Sequence, residues 1–348
     1  MPGEVKEGRL YVSLISSLHI VTTISSRSKM YYSKLIFSLY LIISLIGCVS
    51  IPETLSELQP SPTPQAPQKI IPNYPKHLKD GRIEVGENIF FYTLFGSSGK
   101  NFTQFNNPQD MAMDKEGYLF VADMGNHRIQ KFTPNGDFVG IVGTNTQFIN
   151  PSSLTIDNEG KMFVIDTDNL MKLGPQGEIL RTVKINNPKR IAVEGNELFV
   201  TSADKILCFD TMLLNLKWSL SSHREWNPFG IAIKQGYVFV TDIKNNCICR
   251  ILRKEKSTHW ICSVQGGLNN PLGIAVDDKC VFVADTDNHG ICLFEKGIQE
   301  ISGFGSQGNV YLGQFDRPSK IVIKENRIYV LDAGNCRIQV FEFAVDLY

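Results

Sequence analysis

The sequence predicts an all-β fold, a six-bladed β-propeller over residues 89–348 that its own N-terminal strand closes. A proline-led segment recurs six times, at Pro108, Pro151, Pro188, Pro228, Pro271 and Pro318. These prolines are 37 to 47 residues apart, which is the length of a four-stranded propeller blade. No long segment shows the 3.6-residue period of a helix.

Each repeated segment predicts the same succession of strands. In the fifth unit a short apolar strand covers residues 274–276, three residues after Pro271. A second strand at 281–284 ends in Asp285, and a tight turn leads to a third strand at 291–294. A fourth strand returns to the next proline. The strands are rich in Val, Ile and Phe and are bounded by turn residues, as expected for short antiparallel strands.

The two ends of the repeat region predict how the ring closes. The sequence at 90–108, before the first proline, resembles the sequence at 300–318, before the last one. The first stretch is therefore an outermost strand without a blade of its own, and the last unit ends at its third strand near Phe343. Pairing between them completes the sixth blade and leaves no open edge.

A short signature follows the second strand of several units. It is clearest at Asn126-His127 and Asn288-His289, and degenerate copies begin at Asn169, Asn245 and Asn335. The third unit lacks it, with other residues at 202–205. These units resemble NHL repeats, over about three quarters of the chain. The resemblance implies the propeller fold and says little about function.

One aspartate ends the second strand of every unit except the third: Asp123, Asp166, Asp242, Asp285 and Asp332. A ring of carboxylates near the axis could bind a cation. Alternatively, each aspartate caps its own turn, since Asp side chains bond nearby backbone amides. Recurrence in nearly every unit favours the structural interpretation.

His127, His289 and Cys336 occupy one repeat position, where imidazole and thiolate groups could coordinate zinc. Equivalent positions on blades 1, 5 and 6 are spread around the ring. We therefore expect these side chains to pack between neighbouring blades, and we expect neither a metal site nor a cofactor.

Enzymatic function is the alternative to binding. Among propellers similar to NHL proteins, amidating lyases hold zinc with histidines near the starts of inner strands, and lactonase-like enzymes use Glu, Asn and Asp. The residues after the prolines here are Gln109, Ser152, Lys189, Phe229, Leu272 and Ser319. His223 and His259 fall outside the inner strands. A binding and scaffolding module is thus favoured over a metal-dependent lyase or hydrolase.

The candidate binding surface is one face of the disc. The turns after the second strands and the loops entering the first strands should share this face, and a site must break the sixfold symmetry. The non-repeating residues there are Gln109, Asp110, Met124, Lys189, Arg190, Phe229, Lys244, Arg317 and Lys320. Arg, Lys and Phe suit a protein or peptide partner, and a glycan is the other candidate.

Charge argues against a nucleic-acid partner. The chain has 35 basic and 35 acidic residues, and residues 89–348 carry 26 Lys and Arg against 28 Asp and Glu. A nucleic-acid binder usually has a basic surplus or a basic stripe.

Eight cysteines are too few for a disulfide scaffold in a chain of 348 residues, and no CxxC pair suggests a zinc ribbon. A turn at 254–257 would place Cys249 opposite Cys262 in a hairpin, where a disulfide could form. Cys280 and Cys292 form a weaker pair of the same kind. Buried thiols are the alternative interpretation.

The N-terminal region predicts export. An uncharged apolar run at 35–47 follows Lys29 and Lys34, which is the pattern of a signal peptide. The run is shorter than the roughly 20 residues of a membrane span. Continuing to Ile51 extends it to 17 residues, so an uncleaved anchor is the alternative. Residues 45–48 resemble a bacterial lipobox, which implies a lipid anchor on Cys48 and a place at the cell envelope.

Two further expectations concern this region. Residues 48–88 should be a linker without a core, because 52–80 contain seven prolines. Translation could start at Met30, with 1–29 as an extension of the gene model. In an organism with two membranes, Val49 after the lipidated cysteine points to the outer one, on the periplasmic or extracellular side.

Overall fold

The computed structural model describes residues 75–144, 146–222, 225–254, 257–259, 267–295 and 300–343. The expected signal peptide, Cys48 and most of the expected linker lie outside these residues. Within them, no helix has the length and apolar character needed to cross a membrane.

The described chain begins with three strands joined by antiparallel pairing: β1 (Lys76–His77), β2 (Ile83–Gly86) and β3 (Ile89–Phe95). Val85 and Ile89 are buried in the hydrophobic core that blades 5 and 6 share. The folded body therefore starts before residue 89, and the expected linker boundary is too late. The apolar residues Ile83 and Val85 are two positions apart, and this spacing is the period of a half-buried strand.

Blades 1 to 3 are four-stranded antiparallel sheets of consecutive strands. A small parallel pair, β4 (Ser97–Ser98) and β5 (Gln104–Phe105), precedes them. Blade 1 consists of β6 (Pro108–Met113), β7 (Leu119–Asp123), β8 (Arg128–Phe132) and β9 (Phe138–Ile141). Blade 2 consists of β10 (Pro151–Ile156), β11 (Met162–Asp166), β12 (Asn169–Leu173) and β13 (Ile179–Lys184). Blade 3 consists of β14 (Pro188–Glu194), β15 (Glu197–Ser202), β16 (Lys205–Asp210) and β17 (Leu216–Ser221).

Blades 4 and 5 repeat this plan. Blade 4 consists of β18 (Pro228–Lys234), β19 (Tyr237–Asp242), β20 (Cys247–Leu252) and β21 (Ser257–His259). Blade 5 consists of β22 (Pro271–Val276), β23 (Cys280–Asp285), β24 (Gly290–Glu295) and β25 (Glu300–Phe304). Short 3₁₀ turns, Met124–Asn126 and Thr286–Asn288, follow the second strands of blades 1 and 5.

The sixth blade closes the ring as the sequence predicts. A second parallel pair, β26 (Ser306–Gln307) and β27 (Gln314–Phe315), leads into β28 (Pro318–Lys324), β29 (Arg327–Asp332) and β30 (Arg337–Phe343). The sheet order is β1-β2-β3-β30-β29-β28, so the N-terminal strand β3 supplies the fourth strand of this blade. The prediction of a six-bladed propeller closed by its N-terminal strand is confirmed.

An aromatic residue lies three positions before the end of every second strand and anchors the core. The six are Phe120, Phe163, Phe199, Phe239, Phe282 and Tyr329, all buried. Each such burial stabilises the fold by about 1.5–3 kcal/mol. The aromatic rings pack within or between neighbouring blades.

Candidate functional site

The six inner strands β6, β10, β14, β18, β22 and β28 contact one another in sequence around the ring. Each starts at its proline, which pairs with the last residue of the following strand, as Pro108 does with Asp123. The register shifts directly after all six prolines. The inner strands of a propeller surround a central channel. Such bulges redirect side chains, so the two residues after each proline have their own orientation at one mouth of this channel.

The residue two positions after each proline differs between the two halves of this mouth. Lys320, Asp110, Ser153 and Arg190 occupy it in blades 6, 1, 2 and 3. Blades 4 and 5 have Gly230 and Gly273. There the neighbouring inner strand is so close that an added Cβ would lie 2.2 Å from the Leu272 carbonyl oxygen or 2.7 Å from that of Ser319. Polar and charged side chains are therefore confined to one side of the mouth.

Asp110 is the acidic centre of the charged half. Its fully buried carboxylate lies 2.9 Å from the Lys320 ammonium group, which belongs to the preceding blade. The Ser153 hydroxyl and the Leu154 amide of the next blade also donate to it. One carboxylate thus links three blades.

Arg190 is the buried cation of the same half. Its guanidinium donates to the carbonyl oxygens of Ser152 at 3.1 Å and Gln109 at 3.0 Å, and lies 4.6 Å from the centre of the Phe229 ring. Only 4% of the residue is exposed. Burial lowers the pKa of the Arg190 guanidinium, and the charge of Asp110 opposes this shift.

Two buried polar atoms at this mouth have no hydrogen-bond partner. They are Nε of Arg190 and Oγ of Ser319, the only such side-chain atoms in the part of the chain that the structure describes. Leaving a buried donor unpaired costs about 1–3 kcal/mol, so native proteins rarely do so without a reason.

Lys189 extends the cationic surface towards blade 4. Its ammonium group donates to the carbonyl oxygens of Ala203 at 2.8 Å and Pro228 at 3.1 Å, and to the Asn227 side chain. Burial lowers the pKa of Lys189, and the charges of Asp242 and Asp204 oppose the shift.

Six of the nine predicted binding residues therefore form one site, which we call the channel mouth: Gln109, Asp110, Lys189, Arg190, Phe229 and Lys320. The other three lie elsewhere on the rim. Met124 is in a 3₁₀ turn, Lys244 pairs with Glu225, and Arg317 lies 3.6 Å from Asp287. Sequence reasoning missed Ser153 and Ser319, although both follow a proline at the positions that mark the site.

The recurring aspartates have a structural role in every blade that carries one. All five are buried, and each accepts a hydrogen bond from the backbone of the loop that enters its own blade; the donors are Asn106, Asn150, Asn227, Asn269 and Asp316. Four also accept from an asparagine side chain three residues on. The carboxylates thus fasten the entering loop, whereas the expected bond to the amide two residues on occurs at Asp242 alone among the described contacts.

His127, His289 and Cys336 also have structural roles, either in a turn of the backbone or in a contact with the neighbouring blade. All three have positive φ angles, near 50° to 55°. The His127 ring contacts the Ile149 carbonyl oxygen, and the His289 ring accepts a bond from the Arg317 amide at 3.2 Å. These positions join blades, as expected, and are not brought together around one centre.

The proposed pair of Cys280 and Cys292 does not form. Cys280 and Cys292 belong to different core clusters and so lie on opposite faces of blade 5. Cys262 lies outside the described residues. The expected turn at 254–257 is wrong, because Ser257 already pairs with Leu252.

A cleft of about 350 Å³ opens between blades 1 and 2, away from the channel mouth. Lys131 and Gly140 of blade 1 and the turn at 174–177 of blade 2 contribute to its lining. Turns of the opposite face form it, and no predicted site residue contributes to it.

Comparison with known proteins agrees with this geometry. A family model described as the NHL repeat matches residues 105–132 and 315–341, in blades 1 and 6. The chain therefore contains NHL repeats within a six-bladed propeller. Over 61 residues, 18% of this chain, it is 43% identical to E3 ubiquitin-protein ligase TRIM71 of Rattus norvegicus, and the match spans 7% of that protein's length.

Solved structures show the same fold at low sequence identity. Virginiamycin B lyase from Staphylococcus aureus is similar with a TM-score of 0.54 and 12% identity, over 72% of this chain and 99% of that one. An auxiliary nutrient-binding protein from Bacteroides thetaiotaomicron has a TM-score of 0.55 and 15% identity, over 69% of each chain. Because a fold serves both enzymes and binding proteins, the function has to be argued from the site.

Proposed function

We propose that this NHL-repeat propeller is a binding and scaffolding module that takes an acidic segment of a protein or peptide at its channel mouth, while a lipid on Cys48 holds it at the cell envelope. The observation that carries the binding proposal is the buried Arg190, whose Nε has no partner within a site of unequal charge.

The charges of the channel mouth favour an anionic partner. The six residues of the channel mouth include three cations, Lys189, Arg190 and Lys320, and one carboxylate, that of Asp110, which pairs with Lys320. Arginine and lysine bind carboxylates through charge-assisted hydrogen bonds, which are stronger than neutral ones. Phe229 adds an aromatic surface of the kind that is common where protein partners are anchored.

The envelope location rests on the sequence pattern before the propeller. The basic residues, apolar run and lipobox-like end at Cys48 have the order of a lipoprotein signal. The proline-rich stretch after Cys48 suits a tether that separates the propeller from a membrane surface. A second lipid chain would make such an anchor stable, since a single chain binds only marginally.

Arrays of acidic, neutral and basic peptides, together with neutral glycans, test the binding proposal. We expect the full chain to retain acidic peptides, and expect Lys189→Ala and Phe229→Ala each to weaken binding about tenfold, which corresponds to about 1.4 kcal/mol. Lys184→Ala, on the exposed end of β13, is the matched control and should bind as the original chain does.

Preference for basic peptides or glycans would overturn the proposal, as would equal binding by the channel-mouth variants and the control. Circular dichroism verifies that each variant is folded. The metal-dependent lyase or hydrolase is distinguished by metal on the inner strands: zinc or calcium that survives dialysis and is lost in Asp110→Asn would favour that alternative.

A further inference from the structure

Blade 4 holds a compact group of metal-ligating side chains away from the inner strands. Asp242, Cys247 and Cys249 are all buried, and their carboxylate oxygen and two sulfur atoms lie within 4.8 Å of one another. Cys247 is directly opposite Asp242 in the hairpin of β19 and β20. Cys249 is two residues further along β20 and therefore points to the same face. Within the described residues no other group of three such ligands converges.

The equivalent positions of blades 1 and 6 contain different chemistry. In blade 1, Arg128 Nε lies 2.8 Å and Gln130 Nε2 3.1 Å from a carboxylate oxygen of Asp123. In blade 6 the same contacts join Arg337 and Gln339 to Asp332, at 2.7 Å and 3.2 Å. Strand register places Cys247 at the arginine position and Cys249 at the glutamine position. Blade 4 has thus replaced a cation and an amide with two thiols around the same buried carboxylate.

Blade 5 shows what one thiol does in this environment. Cys292 occupies the glutamine position, and its sulfur lies 3.6 Å from a carboxylate oxygen of Asp285. Gly290 occupies the position of the arginine, so blade 5 has no second sulfur ligand there. Blades 4 and 5 therefore differ by the one side chain that completes a three-ligand group.

The carboxylate of blade 4 is held in place by its surroundings. Asp242 accepts hydrogen bonds from the amides of Asn227 at 2.9 Å and Lys244 at 3.1 Å, and from the Asn245 side chain at 2.6 Å. Contacts of this kind orient the ligands of a metal ion and reduce the freedom lost on binding.

We propose that Asp242, Cys247 and Cys249 form a site for a thiophilic divalent cation, with Zn²⁺ as the ion it suits best. Two thiolates and a carboxylate are ligands that zinc accepts, at distances of about 2.3 Å to sulfur and 2.0–2.2 Å to oxygen. Two sulfur atoms on a tetrahedral zinc ion are then about 3.8 Å apart, which fits the observed spread. The fourth position of zinc is open to water or another ligand.

Charge balance supports a dication at this place. Binding releases the two thiol protons to solvent and leaves two thiolates and one carboxylate around Zn²⁺, a net charge of minus one. Lys189, whose charge acts on Asp242, provides a compensating positive charge nearby. The proposal does not depend on the acidic-peptide function, because none of the three ligands belongs to the channel mouth.

Zinc titration of the reduced full chain against a chromophoric chelator tests the site. We expect one equivalent of bound zinc, with affinity at least a hundredfold weaker in Cys247→Ser/Cys249→Ser. Cys292→Ser is the matched control, since it removes a buried thiol beside the equivalent aspartate of blade 5, and it should leave zinc affinity unchanged. Zinc should also raise the melting temperature of the original chain and of the control but not of the double variant.

Cobalt keeps the proposal testable if the double variant fails to fold. Co²⁺ added to the original chain should produce the intense near-ultraviolet band of thiolate-to-cobalt charge transfer, and zinc should abolish it. Absence of that band overturns the proposal. So does unchanged zinc affinity in the double variant, equal loss in Cys292→Ser, or a Cys247–Cys249 disulfide in the purified chain without bound zinc.

Discussion

At the scale of single residues, the carboxylate of Asp332 is held in place by four neighbouring groups. It accepts hydrogen bonds from the Asp316 amide, the Asn335 amide group, the Arg337 guanidinium and the Gln339 side chain. Burial raises the pKa of Asp332, and the hydrogen bonds from Asn335, Asp316 and Arg337 oppose the shift. The ion pair is therefore not a large source of stability by itself, but removing one partner leaves the other charge buried.

We expect Asp332→Asn to lower the free energy of unfolding by about 3–5 kcal/mol, because Arg337, whose side chain is only 13% exposed, then loses its counter-charge. Asp278→Asn is the control, since Asp278 is 76% exposed and pairs with Lys234 at the surface. Surface pairs contribute about 0–1 kcal/mol. Urea unfolding of the two variants measures both values, and similar losses would contradict the expected difference.

At the scale of structural elements, β3 is the strand on which the closure of the ring depends. It lies between β2 and β30, and its first residue, Ile89, is fully buried in the core shared with blade 5. The outer strand β13 of blade 2 is a useful contrast, because Ile179 there is 48% exposed. Both strands begin with an isoleucine, but only that of β3 belongs to the core.

We expect Ile89→Ala to lower the free energy of unfolding by about 2–5 kcal/mol through a cavity in the core. Ile179→Ala, the same substitution on an outer strand, should change it by less than about 0.5 kcal/mol. Thermal and urea unfolding of both variants provide the measurement. Equal effects would show that β3 is not required to hold the sixth blade.

These elements also show why the fold was easier to predict than the site. The prolines, the aspartates and the matching ends at 90–108 and 300–318 recur at fixed intervals, so strand order and closure follow from spacing. The register shift recurs with the prolines, but the side chains that follow them differ from blade to blade, and their spacing does not show which of them meet at the channel mouth. Ser319 and the group around Asp242 are therefore recognisable only in the folded structure. The early start of the sheet was not predicted, because the prolines before β1 indicated a linker and outweighed the alternating apolar residues Ile83 and Val85.

At the scale of the whole molecule, the proposed anchor decides where the propeller operates. We expect a radioactive or clickable fatty-acid analogue to label the full chain and the chain to sediment with membranes. Cys48→Ser should lose both properties, because an acyl chain contributes about 0.8 kcal/mol per buried CH₂ group to membrane binding. Cys336→Ser keeps the candidate lipidation residue and is the control. Membrane sedimentation of Cys48→Ser without label would indicate another mode of attachment.

The pairing of β3 with β30 has a consequence for how the chain is made. Ile89 pairs with Phe343, so a strand synthesised early must wait for the last described strand before its edge is covered. Contacts between such distant residues form slowly, since the intervening chain has to be ordered first. Throughout synthesis the nascent protein carries two unpaired β-edges, one at each end of an incomplete ring, and such edges invite association between chains. The step that completes the fold is thus also the step that ends its greatest exposure to aggregation.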